Sequence, residues 1–452
     1  MKIIIVGAGK VGVALAQHLA DEHSVTVIDQ NPQLLDHIIN VYDVMGVCGN
    51  GACADVQKEA DAERADLLIA TASSDEINIL TCMVAKKLGV QHTIARIRNP
   101  EYEKQLRYMR AELGLSMSIN PERATAREIA RILRFPNAVK LESFSKGRLE
   151  LVEYRLTAGS TLDGVALSDL YKNLRARVLV CAVARKDETI IPSGDFTLQT
   201  GDTIYITATP SELEQFFRHL GVFKSKASSV MIVGASKLGY YLALQLTDMG
   251  MSVKIIDQNK DRAVSMSELL PKAMLITGDG TDSELLREEG LEQTDGFVAI
   301  TGMDEANILM SLSVGKQAKN CKVVAKINRQ SLVDLVSAES MIDSVVSTGS
   351  VTAELILQYV RAMQNASGSQ VKTLHRLIGG TVEALEFGIC PASPLIGVPL
   401  RDLKLRSGIL LAGIVRQNGK IVIPSGADSI QAGDDVIVVT TSTLRDIRDI
   451  LR

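Results

Sequence analysis

Short aliphatic runs alternate with stretches of helical periodicity from Met1 to about Pro136. The runs are Ile3-Ile4-Ile5-Val6, Val25-Thr26-Val27-Ile28, Asp43-Val44-Met45-Gly46-Val47, Leu67-Leu68-Ile69-Ala70, Thr93-Ile94-Ala95-Arg96-Ile97 and Ser116-Met117-Ser118-Ile119. Continuous apolar runs suit strands covered on both faces, and the helical stretches between them are the crossovers that parallel strands need. The alternation predicts an α/β fold with a doubly wound parallel sheet. A last helix, Glu122 to about Leu133, follows Pro121, which suits a first helical turn.

From about Leu141 to Gly221 the pattern changes to short alternating strands. Leu151–Leu156, Val178–Val183 and Thr203–Ile206 are separated by the turn residues Ile191-Pro192-Ser193-Gly194-Asp195 and Leu198-Gln199-Thr200-Gly201-Asp202. A small β-rich α+β domain is expected here. The small, polar run Lys224-Ser225-Lys226-Ala227-Ser228-Ser229 reads as a linker.

The pattern then starts again. Gly234 repeats Gly7 at 227 positions, Asp257 repeats Asp29 at 228, Asp304 repeats Asp75 at 229 and Gly426 repeats Gly194 at 232. So slow a drift needs only short loop insertions, and it marks an internal duplication. The expected architecture is two tandem Rossmann-like doubly wound parallel sheets, each followed by a small β-rich domain. The expected bounds are 1–140, 141–223, 228–368 and 371–452.

Candidate chemistry sits where the first strand meets the first helix, at Gly7-Ala8-Gly9-Lys10-Val11-Gly12. In a G-x-G-x-x-G turn the first glycine makes the bend, the second lets backbone approach a pyrophosphate, and the third lets helix pack close on strand. The helix that opens there turns its amides toward the anion. Asp29 ends the second strand, where a carboxylate accepts bonds from both ribose hydroxyls and repels a 2′-phosphate; that favours NAD(H) or an adenine nucleotide over NADP(H). Gly49-Asn50-Gly51 and Thr71-Ala72-Ser73-Ser74-Asp75-Glu76 face the same crevice. Ser73 and Glu76 have capping-box spacing, so helix capping competes with ligand contact for Ser73 and Ser74. Copy two reads Gly234-Ala235-Ser236-Lys237-Leu238-Gly239, and Ser236 puts a Cβ where the second glycine stood. That change weakens the site, shifts its ligand, makes it prefer a mononucleotide, or lets a hydroxyl meet a phosphate. Lys10 and Lys237 are either solvated helix lysines or added charge.

Composition narrows the classes. The chain has 452 residues, 46% hydrophobic and 23% charged, with net charge −4 and no tryptophan. Nucleic acid and anionic membrane surfaces are poor partners for that balance. No apolar run reaches the ~18 residues of a membrane span, and Met1-Lys2 leads into a strand rather than a signal sequence, so a cytosolic protein is expected. The six cysteines and six histidines form no ligand spacing, so no metal site is expected. Arg175, Arg177, Arg185, Asp195, Asp202, Arg401, Arg406, Asp428 and Asp434 are the polar groups of the small domains, and they compose no reaction centre. His92 and His375 have no matching histidine in the other copy. No catalytic residue is assigned, and two nucleotide sites without one imply sensing.

The landmarks together resemble the TrkA family of bacterial Trk potassium-uptake regulators, built from duplicated RCK modules. The resemblance rests on Gly7–Gly12, Asp29, Asn50, Asp75-Glu76-Ile77-Asn78, the Ile-Pro-Ser-Gly turns at Ile191 and Ile423, and the Gly-Asp pairs at Gly201 and Gly433. It implies a peripheral subunit on the cytoplasmic face of the inner membrane. That subunit assembles as a homotetrameric ring and gates a TrkH-type potassium transporter in response to NAD(H) or ATP/ADP. It also implies that the backbone of Gly7 through Val11 holds phosphate, Asp29 the ribose, Ser73 and Ser74 the far side of the cofactor, and Arg98 a phosphate, with Asn50 and Thr71 in the same cleft. The copy-two equivalents are Gly234, Ala235, Ser236, Lys237, Leu238, Asp257, Asp279, Thr301 and Gly302. Lys326, Asn328 and Arg329 compete as counterparts of Arg98. A soluble NAD-dependent oxidoreductase is the alternative.

Overall fold

The computed structural model of the chain describes residues 1–110, 112–134, 140–170, 176–186, 188–221, 228–318, 321–338, 342–364, 370–378, 381–442, 444 and 446–452. The first aliphatic runs become β1 (Lys2–Val6), β2 (Ser24–Asp29), β3 (Met45–Cys48), β4 (Leu67–Ala70), β5 (His92–Arg96) and β6 (Met117–Ile119). They form one parallel sheet in the order β3-β2-β1-β4-β5-β6. The helices are α1 (Lys10–Leu19), α2 (Pro32–Val41), α3 (Ala54–Glu59), α4 (Asp75–Leu88), α5 (Pro100–Met109) and α6 (Pro121–Arg134). Strand order reverses between β1 and β4, and a crevice opens there at the carboxyl ends of the strands.

The first small domain is an antiparallel sheet of β7 (Lys140–Phe144), β8 (Leu149–Arg155), β9 (Leu179–Arg185), β10 (Glu188–Ile190) and β11 (Thr203–Ala208), followed by α7 (Pro210–His219). Its five strands run in the order β10-β9-β11-β8-β7. The mixed Lys-Leu-Glu-Ser-Phe of β7 carries no clear alternation, which is why it escapes pattern reading.

Copy two repeats both sheets. Strands β12 (Ser229–Val233), β13 (Ser252–Asp257), β14 (Ala273–Thr277), β15 (Gly296–Ala299), β16 (Lys322–Lys326) and β17 (Ser344–Val346) pair as β14-β13-β12-β15-β16-β17. Their helices are α8 (Lys237–Asp248), α9 (Lys260–Leu269), α10 (Ser283–Glu288), α11 (Asp304–Gln317), α12 (Gln330–Ala338) and α13 (Thr348–Gln364). The last sheet holds β18 (Gln370–Leu377), β19 (Val382–Gly388), β20 (Ile409–Val415), β21 (Ile421–Val422) and β22 (Asp435–Thr440). Lys224–Ala227 of the expected linker lie outside the described residues, and Ser229 already belongs to β12.

The chain divides in space into two compact units, Met1–Leu133 with Ala227–Leu357 and Arg134–Lys226 with Gln358–Arg452. Each unit pairs the two copies of one domain type. In the first, α6 follows the first sheet in sequence but packs into the core of the second: Ile129, Ala130 and Leu133 are buried with Val230, Ile232, Leu242 and Ile255. Gly296 on β15 makes room, since a Cβ there would stand 2.7 Å from the Leu133 side chain. In return the start of α13 lies on α1, where a Cβ on Gly349 would come 3.3 Å from the Lys10 carbonyl oxygen.

In the second unit the two small sheets share one core. Phe144, Leu149 and Tyr205 from one copy meet Val382, Ala412 and Ile437 from the other. Buried polar groups are paired at this seam, as desolvation requires. The Thr207 hydroxyl donates to the Ala412 carbonyl at 2.9 Å, and His375 Nδ1 lies 2.8 Å from Glu142 Oε2. Asp202 and Asp434, each at a Gly-Asp turn, pair with Arg185 and Arg416, so each carboxylate braces its own small domain. Arg175 lies outside the described residues. Among the described residues no helix is long and apolar enough to cross a membrane.

Candidate functional site

Each Rossmann-like sheet carries a cleft at its switch point. The first, of about 420 Å³, is lined by Gly7, Gly9, Asp29, Asn50, Thr71 and Ser73 among others; the second, of about 570 Å³, by Ser236, Asp257, Arg262, Asp279, Thr301 and Gly302 among others.

The glycines of the first turn answer to different demands. Gly7 sits at φ +106°, the left-handed region that side chains avoid, and a Cβ on Gly12 would fall 1.9 Å from the Gly7 carbonyl oxygen. Gly9 answers to neither demand. Its backbone is extended, at φ −75° and ψ −174°, and a Cβ there would meet no atom within 4 Å. Ser236 occupies the same conformation, φ −87° and ψ 176°, and its hydroxyl caps α8 by accepting the Gly239 amide at 3.4 Å. The open space at Gly9 is a cradle that a side chain would fill, and Ser236 fills its counterpart.

The aspartates are held by backbone. Asp29 Oδ2 accepts the Ala8 amide at 2.6 Å and Oδ1 the Asn31 amide at 2.8 Å. Asp257 accepts the Ala235 amide at 2.7 Å and the Asn259 amide at 2.9 Å. The expectation that the backbone of Gly7 through Val11 holds phosphate is narrowed by these bonds. The Gly7 amide already donates to the Ile28 carbonyl and the Ala8 amide to Asp29, so the donors left at the opening of α1 begin at Gly9. The side chains of Ala8, Val11, Ala235 and Leu238 are buried, so these positions offer backbone alone.

Asn50 Oδ1 accepts the Ala52 amide at 3.1 Å. In its place Asp279 accepts both the amide and the hydroxyl of Thr281, which hold its carboxyl below the ordinary range. The Thr71 hydroxyl donates to the carbonyls of Val6 and Gly7, stapling β4 to the glycine turn. Ile300 stands in its place in copy two, and Thr301, where the first copy has Ala72, donates to Asn307 Oδ1 at 2.7 Å. The N-cap of α4 is Ser74, one residue later than the capping-box spacing suggests, which leaves Ser73 on the cleft wall.

Three expected side chains lie elsewhere. Arg98 is absent from the lining of the first cleft; its side chain pairs with Glu122 at 2.5 Å beside a separate cavity of about 190 Å³. Lys237 lines that same cavity, with Ser73, Ser74 and Glu76, and does not line the second cleft. The cause is the packing of the two copies: the end of the first α4 loop faces the start of α8, so Lys237 looks across at the other copy. Lys10 is placed reciprocally, close enough to Lys326 of the second copy to disfavour its charge.

Besides Arg262 in the second, each cleft contains as a cation the last residue of its fifth strand, Arg96 in one and Lys326 in the other. Burial pushes both below their ordinary values. Arg96 Nη2 donates to the Ala72 carbonyl at 2.6 Å. Sequence reasoning passed over Arg96, which ends an aliphatic run, and weighed Lys326 only as a counterpart of Arg98; the available signal was a charge at the carboxyl end of a strand beside the switch point. The structure also sorts the three competitors. Asp75 accepts the amides of Arg98 and Asn99, and Asp304 those of Asn328 and Arg329, so Arg98 corresponds to Asn328. Lys326 corresponds to Arg96.

The family profile of the TrkA-N domain matches residues 3–121 and 230–348, and that of the TrkA-C domain residues 151–221 and 385–452. The chain is 33% identical over 451 residues to the Trk system potassium uptake protein TrkA homolog 1 of Methanosarcina mazei, covering 98% of each chain. It is 33% identical over 443 residues to the Trk system potassium uptake protein TrkA of Vibrio alginolyticus, covering 97% of this chain and 95% of that one. Among solved structures, the GsuK channel bound to NAD superposes with a TM-score of 0.62 at 20% identity, covering 98% of this chain and 77% of that one. The isolated GsuK RCK domain does so with a TM-score of 0.62 at 20% identity, covering 98% and 92%.

Proposed function

The chain belongs to the TrkA family of Trk potassium-uptake proteins, and from that premise we propose that it is a nucleotide-sensing regulatory subunit that gates a membrane-embedded potassium transporter of the TrkH type. NAD(H) occupies the first cleft, and adenine nucleotides such as ATP or ADP compete there. Gly9 carries this reading: neither its backbone nor its neighbours require glycine, so the absent side chain is explained by a ligand that comes close. Asp29, with one backbone amide on each oxygen, keeps lone pairs for the two ribose hydroxyls. The amides from Gly9 onward at the opening of α1 face the pyrophosphate.

A bound nucleotide acts by differential affinity for two arrangements of the protein, a coupling worth ~1–3 kcal/mol per site. Assembly as a homotetrameric ring on the cytoplasmic face of the membrane would multiply that leverage. The oxidoreductase alternative needs a substrate domain with an acid or base, and the charged pairs of the small domains are tied up in their own turns.

The test is potassium flux through vesicles that carry a TrkH-type transporter with the purified chain, measured with and without NADH and ATP. Flux that changes with nucleotide supports the reading. Flux indifferent to both nucleotides, or NADH oxidation by the chain with small carbonyl substrates, overturns it.

A further inference from the structure

The two clefts differ in charge where the adenosine ribose would lie. Helix α2 opens as Asn31-Pro32-Gln33-Leu34 and α9 as Asn259-Lys260-Asp261-Arg262, the same N-cap followed by different chemistry. Leu34 lines the first cleft, 44% exposed. Arg262 takes its place in the second, 53% exposed, with Nη2 3.5 Å from Asp257 Oδ1. In the first cleft the nearest cation in the lining, Arg96, stands three strands away at the end of β5 and is bonded to a carbonyl.

This changes what the ribose aspartate can exclude. A carboxylate at the end of the second strand rejects a 2′-phosphate by charge, whereas an arginine beside that position accommodates one. Among the described residues Asp29 is bonded by two backbone amides and by no cation. Asp257 has the same two amides and also the guanidinium of Arg262, which offsets its charge and belongs to a residue of the cleft lining. The second cleft is also roomier. Gly302 stands where the first copy has Ser73, and Ala306 where it has Ile77.

Resting on the reading that the clefts take adenine nucleotides, we propose that the second cleft, unlike the first, accepts a 2′-phosphorylated adenosine nucleotide of the NADP(H) class, with Arg262 as the counter-charge of the phosphate. One chain would then report two pools, an NAD(H)-type ligand in the first cleft and a 2′-phosphorylated one in the second. The bland alternative is that Arg262 only pairs with Asp257 across the surface.

Calorimetric titration of the full chain with adenosine 2′,5′-bisphosphate, 5′-AMP and NADH separates these readings. The expected result is one site that prefers the bisphosphate to 5′-AMP by roughly tenfold or more, the scale of a hydrogen bond to a charged group. Arg262→Leu removes the preference and leaves NADH affinity at the other site unchanged. The variant should fold, because leucine already occupies the equivalent position in copy one. NADH binding with no preference for the bisphosphate, or a preference that survives Arg262→Leu, overturns this inference alone. No binding of NADH or of either adenosine probe overturns the functional reading along with it.

Discussion

Gly9 and Gly12 stand three residues apart in one turn, yet replacing them should break different things. Gly9→Ser copies what Ser236 does in the second turn, so stability in thermal unfolding should stay within about 0.5 kcal/mol of wild type while NADH affinity falls roughly tenfold. Gly12→Ala places a methyl 1.9 Å from a carbonyl oxygen that cannot yield without moving the turn. It should cost about 2 kcal/mol or more in denaturant unfolding. Equal stability losses in both would remove the argument that a ligand accounts for Gly9. Asp29→Ala should weaken NADH by roughly ten- to a hundredfold, the scale of hydrogen bonds to a charged acceptor, as read by titration. An unchanged affinity would exclude Asp29 from the ribose site.

Elements are tied by a few buried groups whose loss can be read separately. Burial by itself would raise the Asp202 carboxyl, but the Arg185 guanidinium and the Gln199 amide outweigh it and hold the carboxyl below its ordinary value. A lowered carboxyl contributes stability above its unfolded value of about 3.9 and loses it as pH falls through the folded value. Asp202→Asn should therefore cost roughly 3 kcal/mol near neutrality, the low end for a buried pair, and the gap to wild type should shrink below about pH 4. Urea midpoints of both proteins across that range test it, and a gap independent of pH would deny the ion pair its role. Helix α6 is the other tie. Ile129→Ala and Leu133→Ala each empty space in the second sheet's core and should each cost about 2–4 kcal/mol in thermal unfolding, although both residues belong to the first copy's sequence.

At the scale of the whole molecule, the duplication is completed by exchange between copies rather than by two halves standing alone. Residues 1–226 contain α6 but not the sheet that covers Ala126, Ile129 and Leu133, and they contain the first small sheet without the partner face of Val382, Ala412 and Ile437. Expressed alone, this half should self-associate, because its exposed apolar surface has nowhere else to go. Sedimentation would detect that, and co-expression with residues 227–452 should restore a single compact species. A half that runs as a stable monomer would show that the exchange is dispensable.

The order of strands and helices, the duplication, the glycine turns and the two aspartates are all local features, written in aliphatic runs and in the few residue types a tight turn or a ribose subsite tolerates. Periodicity and spacing therefore suffice to read them. Partners across space leave no such mark. An apolar stripe on α6 says that it is covered but not by which sheet. Arg98 and Arg96 lie two residues apart, and only the end of β5 decides which enters the cleft. A lysine after a glycine turn is the same letter whether it faces its own site or, as Lys237 does, the neighbouring copy's. These choices were settled by how two similar sheets pack, because burial selects among surfaces that the linear pattern leaves equivalent.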